Sequence, residues 1–407
     1  ALCLNTTAGG NTAVGLNSSL STTTGANNTS LGCGSLQANT TGANNTSLGC
    51  GSLQANTTGT ENVAVGQLAL TTNTTGGENT AVGRYSLGAN TTGEKNTALG
   101  HSTVENNTTG DFNVGIGHGA LQANTTADNN TAVGYQSLDA NTDGHSNTAV
   151  GKGSLGANTT ADQNTAVGFN ALTANTTGAE NVALGYGSLQ ANTTATKNVA
   201  VGLQTLNAST TGVENVAVGR RAGLSNTTGN NNVSIGHCAG HNITTGGQNI
   251  NIGGYARVAS NTESYSLAIG YNIVGKGANT GYIAPDGTAT SGIYQGNNSS
   301  SWSTTSDKRI KKNIVDNTTG LDKINQIQIR NFEYRKKDEI TELPKHSAIE
   351  KSGIQIGVIA QEIETILPDV VKEESTGVKS VDPSNLTWYL INAIKELTAR
   401  VKELEDK

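Results

Sequence analysis

The sequence holds no methionine, four prolines, four cysteines, three phenylalanines and two tryptophans in 407 residues. Aromatic residues reach 4%, apolar residues 34% and charged residues 14%, where ordinary domains run at ~45–50% apolar and ~25% charged. That scarcity excludes a single large core packed with Leu and Phe. Disorder fits poorly too, because disordered chains are usually rich in charge and proline, and here the net charge is only −6. Few basic residues argue against nucleic acid as a partner. No run approaches the ~18 apolar residues of a membrane span, and no basic-then-apolar signal segment is present. With no Met and Ala first, the chain is expected to be a processed or truncated piece of a longer one. What is abundant is glycine, at 52 residues, and that points to a repetitive, small-residue β architecture.

Charge divides the chain. Residues 307–407 hold 17 of the 25 Lys and Arg and 18 of the 31 Asp and Glu, so two chemically different parts meet near Ser306. Three segments are expected: a repeat shaft over 1–245, degenerate repeats and a connector over 246–305, and a separate domain over 306–407.

Internal repeats dominate the first part. Starting at Ala8, a 17-residue unit close to G-x-x-N-T-A-V-G-x-x-S-L-x-A-N-T-T recurs fourteen times to Thr245 without insertion or deletion. Asn is invariant at the fourth position and Gly at the eighth. Constant length means each unit is one coil stacked on the last. Nothing recurs at helical spacing, so the expected fold is mostly β, a β-roll or β-solenoid of parallel strands. At ~4.8 Å per coil, fourteen coils give a rod of roughly 65–70 Å. The fifth to seventh residues of each unit form a short strand. Alternation is read as placing the fifth and seventh in a narrow interior and the sixth outside. The sixth is Ala, Ser or Gly and never large, which implies another backbone against it. Ala13, Ala64, Ala81, Ala132, Ala166 and Ala200 are therefore expected to touch neighbouring chains in a cyclic trimer. The alternative is that a small residue merely fits a tight coil interior. Gly at the eighth position supplies a corner forbidden to other residues. Asn at the fourth tolerates left-handed dihedral angles and can stack into an amide ladder.

Several tempting sites are declined. The Asn-Thr-Thr triplets at Asn39, Asn56, Asn73, Asn90, Asn124, Asn158, Asn175 and Asn192 formally match glycosylation acceptors, but read better as polar coil corners. The Thr pairs lie at a turn rather than on a flat ice-binding face, and no Asp recurs as a calcium β-roll requires. Cys33 and Cys50 hold the same place in adjacent coils, within disulfide range, yet with only Cys3 and Cys238 besides they imply no disulfide framework. The six His residues are scattered. No metal and no cofactor is expected.

The runs Asn79-Thr80-Ala81-Val82-Gly83, Asn198-Val199-Ala200-Val201-Gly202 and Asn232-Val233-Ser234-Ile235-Gly236 resemble the repeats of trimeric autotransporter adhesin heads, which are parallel β-rolls. They are still closer to the longer Asn-Thr-Thr-Gly-rich repeats that precede phage tail-fibre chaperone domains. After Trp302 comes Ser306-Asp307-Lys308-Arg309-Ile310-Lys311-Lys312-Asn313-Ile314. With Asn331-Phe332-Glu333-Tyr334, the run from Gly357 to Glu362 leading to Leu367-Pro368, and Ala393-Ile394-Lys395-Glu396-Leu397, it resembles the endosialidase-type intramolecular chaperone, the self-cleaving C-terminal domain of phage tail spikes and fibres. The resemblance implies a small α+β domain. It departs at Val381-Asp382-Pro383, where an aromatic residue is usual.

That resemblance also implies a proteolytic dyad, Ser306 and Lys311, with scission between Ser306 and Asp307. A hydroxyl becomes nucleophilic beside a neutral amine, and cationic neighbours such as Lys308, Arg309 and Lys312 depress a Lys pKa. Five residues along a helix separate side chains by ~140°. Ser306 must then precede the helix or meet a Lys of another chain. Attack of Ser306 on its own carbonyl would close a four-membered ring, so either a neighbouring hydroxyl attacks or the bond is Thr305–Ser306. The alternative is an uncleaved, charged helix start with Ser306 as its N-cap. Cleavage would be a single turnover with no external substrate.

Near the end, Leu390, Ile394, Leu397, Val401 and Leu404 recur at 4,3 spacing, a coiled-coil seam. Their residue types formally favour two strands, so three-fold symmetry rests on the resemblance and on the rod. The combination implies a homotrimeric structural and adhesive fibre of a phage or virus particle. Its partners would be its own copies, an upstream virion or anchor component, and a host-surface receptor or glycan; it would sit on the virion or an extracellular surface. The alternative is a microbial adhesin filament using the same chaperone. Glycan hydrolysis is disfavoured, because the repeats lack recurrent paired carboxylates or an aromatic cleft.

Overall fold

The computed structural model describes residues 2–287, 292–296, 308, 311–343, 349, 351–373 and 377–407. The chain separates into two compact units, residues 1–305 and 306–407.

The first unit is a parallel β-solenoid of about 16 turns. Three-residue strands run from β1 (Thr12–Val14) to β15 (Ile250–Ile252), one every 17 residues. Each pairs in parallel and residue for residue with the strand one repeat later: Thr80 with Thr97, Ala81 with Ala98, Val82 with Leu99. The same step carries β15 onto β16 (Ser266–Tyr271), where Ile250 faces Leu267, so regular stacking continues past Thr245. Then it changes. Strand β17 (Thr280–Asp286) follows only 14 residues after β16, with a register shift between Ile269 and Tyr271. Strand β18 (Ile293–Gln295) closes the sheet antiparallel to β17, covering an edge that would otherwise present unpaired N–H and C=O groups.

The coil interior differs from the sequence reading. Within each strand the sixth residue of the repeat points inward and the fifth and seventh point out. Ala64, Ala81, Ala132, Ala166 and Ala200 are each 0% exposed in a single chain and belong to its own core. They cannot be contacts between chains; Ala13, in the first full coil, is half-buried in the same inward position. The expectation of an Ala seam between copies is therefore wrong, and the tight-interior alternative holds. Two variations fix the direction. Where the sixth residue is Ser30 or Ser47, its hydroxyl bonds interior hydroxyls of the same chain, Ser18 at 2.7 Å and Ser35 at 2.8 Å. Where it is Gly115, a Cβ would lie 2.5 Å from Val104 Cγ2 and 2.6 Å from Thr103 Cγ2. Thr103 and Val104 replace the usual Ser-Leu one coil earlier, and the glycine makes room for the Cγ2 methyl groups that branching at Cβ places there.

Opposite that small residue lies the Leu at the twelfth position, from Leu36 to Leu206, fully buried in coil after coil. It is the only large apolar side chain each coil encloses, and it is held with φ between +47° and +54°. The third position is also left-handed, with φ of 56–61° whether it is Asn, Glu, Lys, Gln or Phe112. The fourth-position Asn is not left-handed, contrary to expectation. Gly at the eighth position takes φ from +117° to +143°, and a Cβ there would strike the glycine carbonyl of the next coil.

Two amide ladders bind the coils. At the fourth position, Asn28 Oδ1 accepts from the backbone N–H of Asn45 (2.9 Å) and from its Nδ2 (3.1 Å), while Asn28 Nδ2 donates to the Gly42 carbonyl (2.9 Å). At the fifteenth, Asn56 Nδ2 donates to Asn39 Oδ1 and to the Gly59 carbonyl, both at 3.0 Å. These Asn side chains are buried. Burial of an amide is tolerated only when its hydrogen bonds are made, and the repeat makes them one coil away.

The second unit contains α1 (Leu321–Ile324), an antiparallel pair β19 (Arg330–Phe332) and β20 (Gln355–Gly357), α2 (Ala360–Ile366), a second antiparallel pair β21 (Val371–Glu373) and β22 (Lys379–Val381), and the 23-residue α3 (Pro383–Glu405). Ile363, Leu367 and Val370 form its buried core, with Ile327, Val358, Leu386 and Tyr389 packed against them. Pro383, the departure seen in the sequence, is the first helical residue of α3, where a missing N–H costs nothing.

Candidate functional site

The expected nucleophile Ser306 and the bond to Asp307 lie outside the described residues. Lys311 is exposed and its backbone N–H donates to the Lys308 carbonyl at 3.2 Å.

Around α3 the second unit is tied by polar contacts. Leu321 N–H donates to Glu396 Oε2 (3.2 Å), and Asn392 Nδ2 donates to the carbonyls of Asn317 (2.8 Å) and Thr319 (3.2 Å). The Tyr389 hydroxyl donates to Asp369 at 2.7 Å, and that bond holds its pKa above the usual tyrosine value. Arg330 grips Glu362 through two nitrogens, at 3.1 and 3.0 Å. Lys379 lies 2.6 Å from Glu364, which raises the lysine's pKa. Such exposed pairs contribute little individually. It is the bonds made by Tyr389, Asn392 and Glu396 that hold α3 with one face toward its own domain, that of Leu386, Tyr389 and the buried Ala393. Beside that face runs the other stripe. Leu390, Ile394, Leu397, Val401 and Leu404 are 44–71% exposed in the single chain.

Residues 306–372 match the family described as chaperone of endosialidase. The second unit carries a chaperone-of-endosialidase domain. No curated protein and no solved structure matches the chain. The matched segment runs from Ser306 to Lys372, so α3 (Pro383–Glu405) and its apolar stripe lie beyond it in the same unit.

On the solenoid, the Asn of each of the eight triplets from Asn39 to Asn192 named above is buried with its side-chain amide hydrogen-bonded at the turn, so a polar coil corner is what these triplets form. The sequence reading missed a row of rings at the ninth position. His101 stacks on His118 (centroids 5.1 Å apart), His118 on Tyr135 (5.5 Å) and Phe169 on Tyr186 (5.3 Å), with Lys152 between Tyr135 and Phe169. Counting His and Tyr at intervals of 17, instead of looking for local clusters, would have found it. Among the described residues no group of three His, Cys, Asp or Glu side chains is placed to hold a metal, and no helix is long and apolar enough to cross a membrane.

Proposed function

We infer that the chain is the shaft and chaperone of a homotrimeric, adhesive fibre of a phage or virus particle that serves host attachment. The observation that carries this reading is the union, in one chain, of a solenoid whose coils are nearly interchangeable with a chaperone-of-endosialidase domain. Interchangeable coils specify register weakly, so copies could align one coil out of step at little energetic difference. A C-terminal unit that gathers three chains first gives them a common starting point. The exposed stripe on α3, from Leu390 to Leu404, supports that gathering role: it is apolar, regularly spaced and uncovered in the single chain.

After assembly, the chaperone releases itself. Ser306 supplies the nucleophile, Lys311 accepts its proton, and the chain parts beside Ser306, leaving the shaft kinetically trapped without its template. Intact mass of the expressed wild type beside Ser306→Ala and Lys311→Ala tests this step. The reading expects loss of a C-terminal fragment that begins at Ser306 or at Asp307 from wild type alone; full-length mass in all three removes the dyad. Pull-down of the trimer with purified particles, or its absence from them, decides the location.

A further inference from the structure

Residues 25–41 and 42–58 are identical, residue for residue, and stack as neighbouring coils. Each sets one cysteine at the ninth position of the repeat, Cys33 and Cys50, between two glycines: Gly32-Cys33-Gly34 and Gly49-Cys50-Gly51. Both thiols are free and exposed. The Cys33 carbonyl accepts from the Gly51 N–H at 2.9 Å and the Cys50 carbonyl from the Leu68 N–H at 3.0 Å, so the backbone holds one cysteine over the other. Side chains at this position follow the coil spacing. In later coils the rings of His101 and His118 lie 5.1 Å apart, and those of Phe169 and Tyr186 5.3 Å. With glycine on each side, no flanking residue of either coil carries a side chain that would separate the two thiols.

The interiors of these two coils are polar. Ser30 and Ser47 stand where Ala is usual, bonded to the hydroxyls of Ser18, Ser19, Ser35 and Ser52. Such bonds largely replace ones that water would make, so these coils gain less from burial than coils that enclose Ala. They gain correspondingly more from a covalent tie that restricts the unfolded chain. Stacked Cα atoms at ~4.8 Å fall inside the range that a disulfide spans. Their Cβ atoms, at about the same separation, stand wider than the ~3.8 Å mean of relaxed disulfides, so closure draws the two coils together. A bond both exposed and strained is easily reduced again. Thiols two coils apart, at ~9.6 Å, lie beyond reach.

We propose that Cys33 and Cys50 form a redox site, a thiol pair that a small-molecule disulfide closes into a reversible staple between two identical coils. The pairing is internal to one chain and does not depend on the self-association inferred above. One cysteine thiolate attacks the reagent, forming a mixed disulfide and expelling one thiolate. The other cysteine thiolate then attacks the cysteine sulfur of that mixed disulfide and expels the second. The two cysteines are oxidised, the reagent is reduced to two thiols, and the cysteine protons pass to them. The test uses the full chain carrying Cys3→Ser and Cys238→Ser. It is treated with oxidised glutathione, quenched with N-ethylmaleimide and read by intact mass under denaturing, non-reducing conditions. The expected product is a single chain lighter by two hydrogen atoms, bearing neither glutathione nor maleimide, and dithiothreitol should restore both thiols. Adding Cys50→Ser removes the resolving thiol and should leave one glutathione on Cys33. Adding Gln67→Cys as well, at an exposed site, sets the thiols two coils apart, and both should stay separately modified. Glutathione or maleimide on both Cys33 and Cys50 overturns the proposal, as do chains joined to one another through these cysteines. Closure of the two-coil pair as complete as that of the adjacent pair overturns it too, because the thiols would then meet without the stack.

Discussion

Buried amides are costly unless every bond is made, and the fifteenth-position row breaks that rule at Thr22, in the first coil, and again at Ser209. Asn175 and Asn192 are linked (2.8 Å), but the next residue in the row is Ser209. Its side chain is too short to bridge the coils: Asn192 Oδ1 and Ser209 Oγ are both buried without a partner. Ser209→Asn should let Nδ2 reach Asn192 Oδ1 and the Gly212 carbonyl, as its counterparts do, and stabilise the chain by about 1–2 kcal/mol. The check is the midpoint of denaturant unfolding beside Asn158→Ser, which opens the same gap elsewhere and should lower it. This ladder was only half legible. The invariant fourth-position Asn announced itself, whereas the fifteenth-position Asn was read as a corner and its stacking went unseen. The inward Ala was misread for a related reason. The apolar residues of a strand were assigned to the interior, because the true core residue, Leu at the twelfth position, sits outside the strand in a left-handed conformation that few leucines adopt.

Among the elements, α3 shows what sequence spacing can and cannot carry. The 4,3 recurrence from Leu390 to Leu404 places these side chains along one stripe of the helix, since periodicity depends only on helical geometry. Which face the helix gives to its own domain was invisible, because Tyr389, Asn392 and Glu396 find their partners at Asp369, Asn317 and Leu321, far away in sequence. The separation of the two faces makes a clean test. Leu397 is 51% exposed, so Leu397→Asp should leave the fold of the single domain intact, while placing a carboxylate in the stripe proposed to gather the chains. Sedimentation should show dissociation of the assembled chain, with helix content by circular dichroism unchanged. A variant that stays assembled would assign the stripe some other role.

At the scale of the whole molecule, stability is a matter of neighbours. Each coil encloses one Leu, one small residue and two ladder amides, too little to offset an ordering cost of ~1–2 kcal/mol per residue, so each coil depends on the coil before and after it. The period was fully legible because every cross-coil bond demands it: Thr40 Oγ1 reaches the Thr57 carbonyl (3.1 Å), Asn45 N–H reaches Asn28 Oδ1 (2.9 Å) and Val63 N–H reaches the Asn79 carbonyl (2.8 Å). A change of one residue displaces all of them at once, yet a change of seventeen displaces none. Deleting residues 148–164 joins Asn147 to Thr165 and should yield a folded chain one coil shorter, by about 4.8 Å, with its unfolding midpoint little changed. Deleting Gly156 alone should break both ladders locally and leave a protease-sensitive site between two intact solenoid segments. Limited proteolysis and the lengths of the purified particles separate the outcomes. Equal tolerance of both deletions would mean that the coils are held by something other than their in-register bonds.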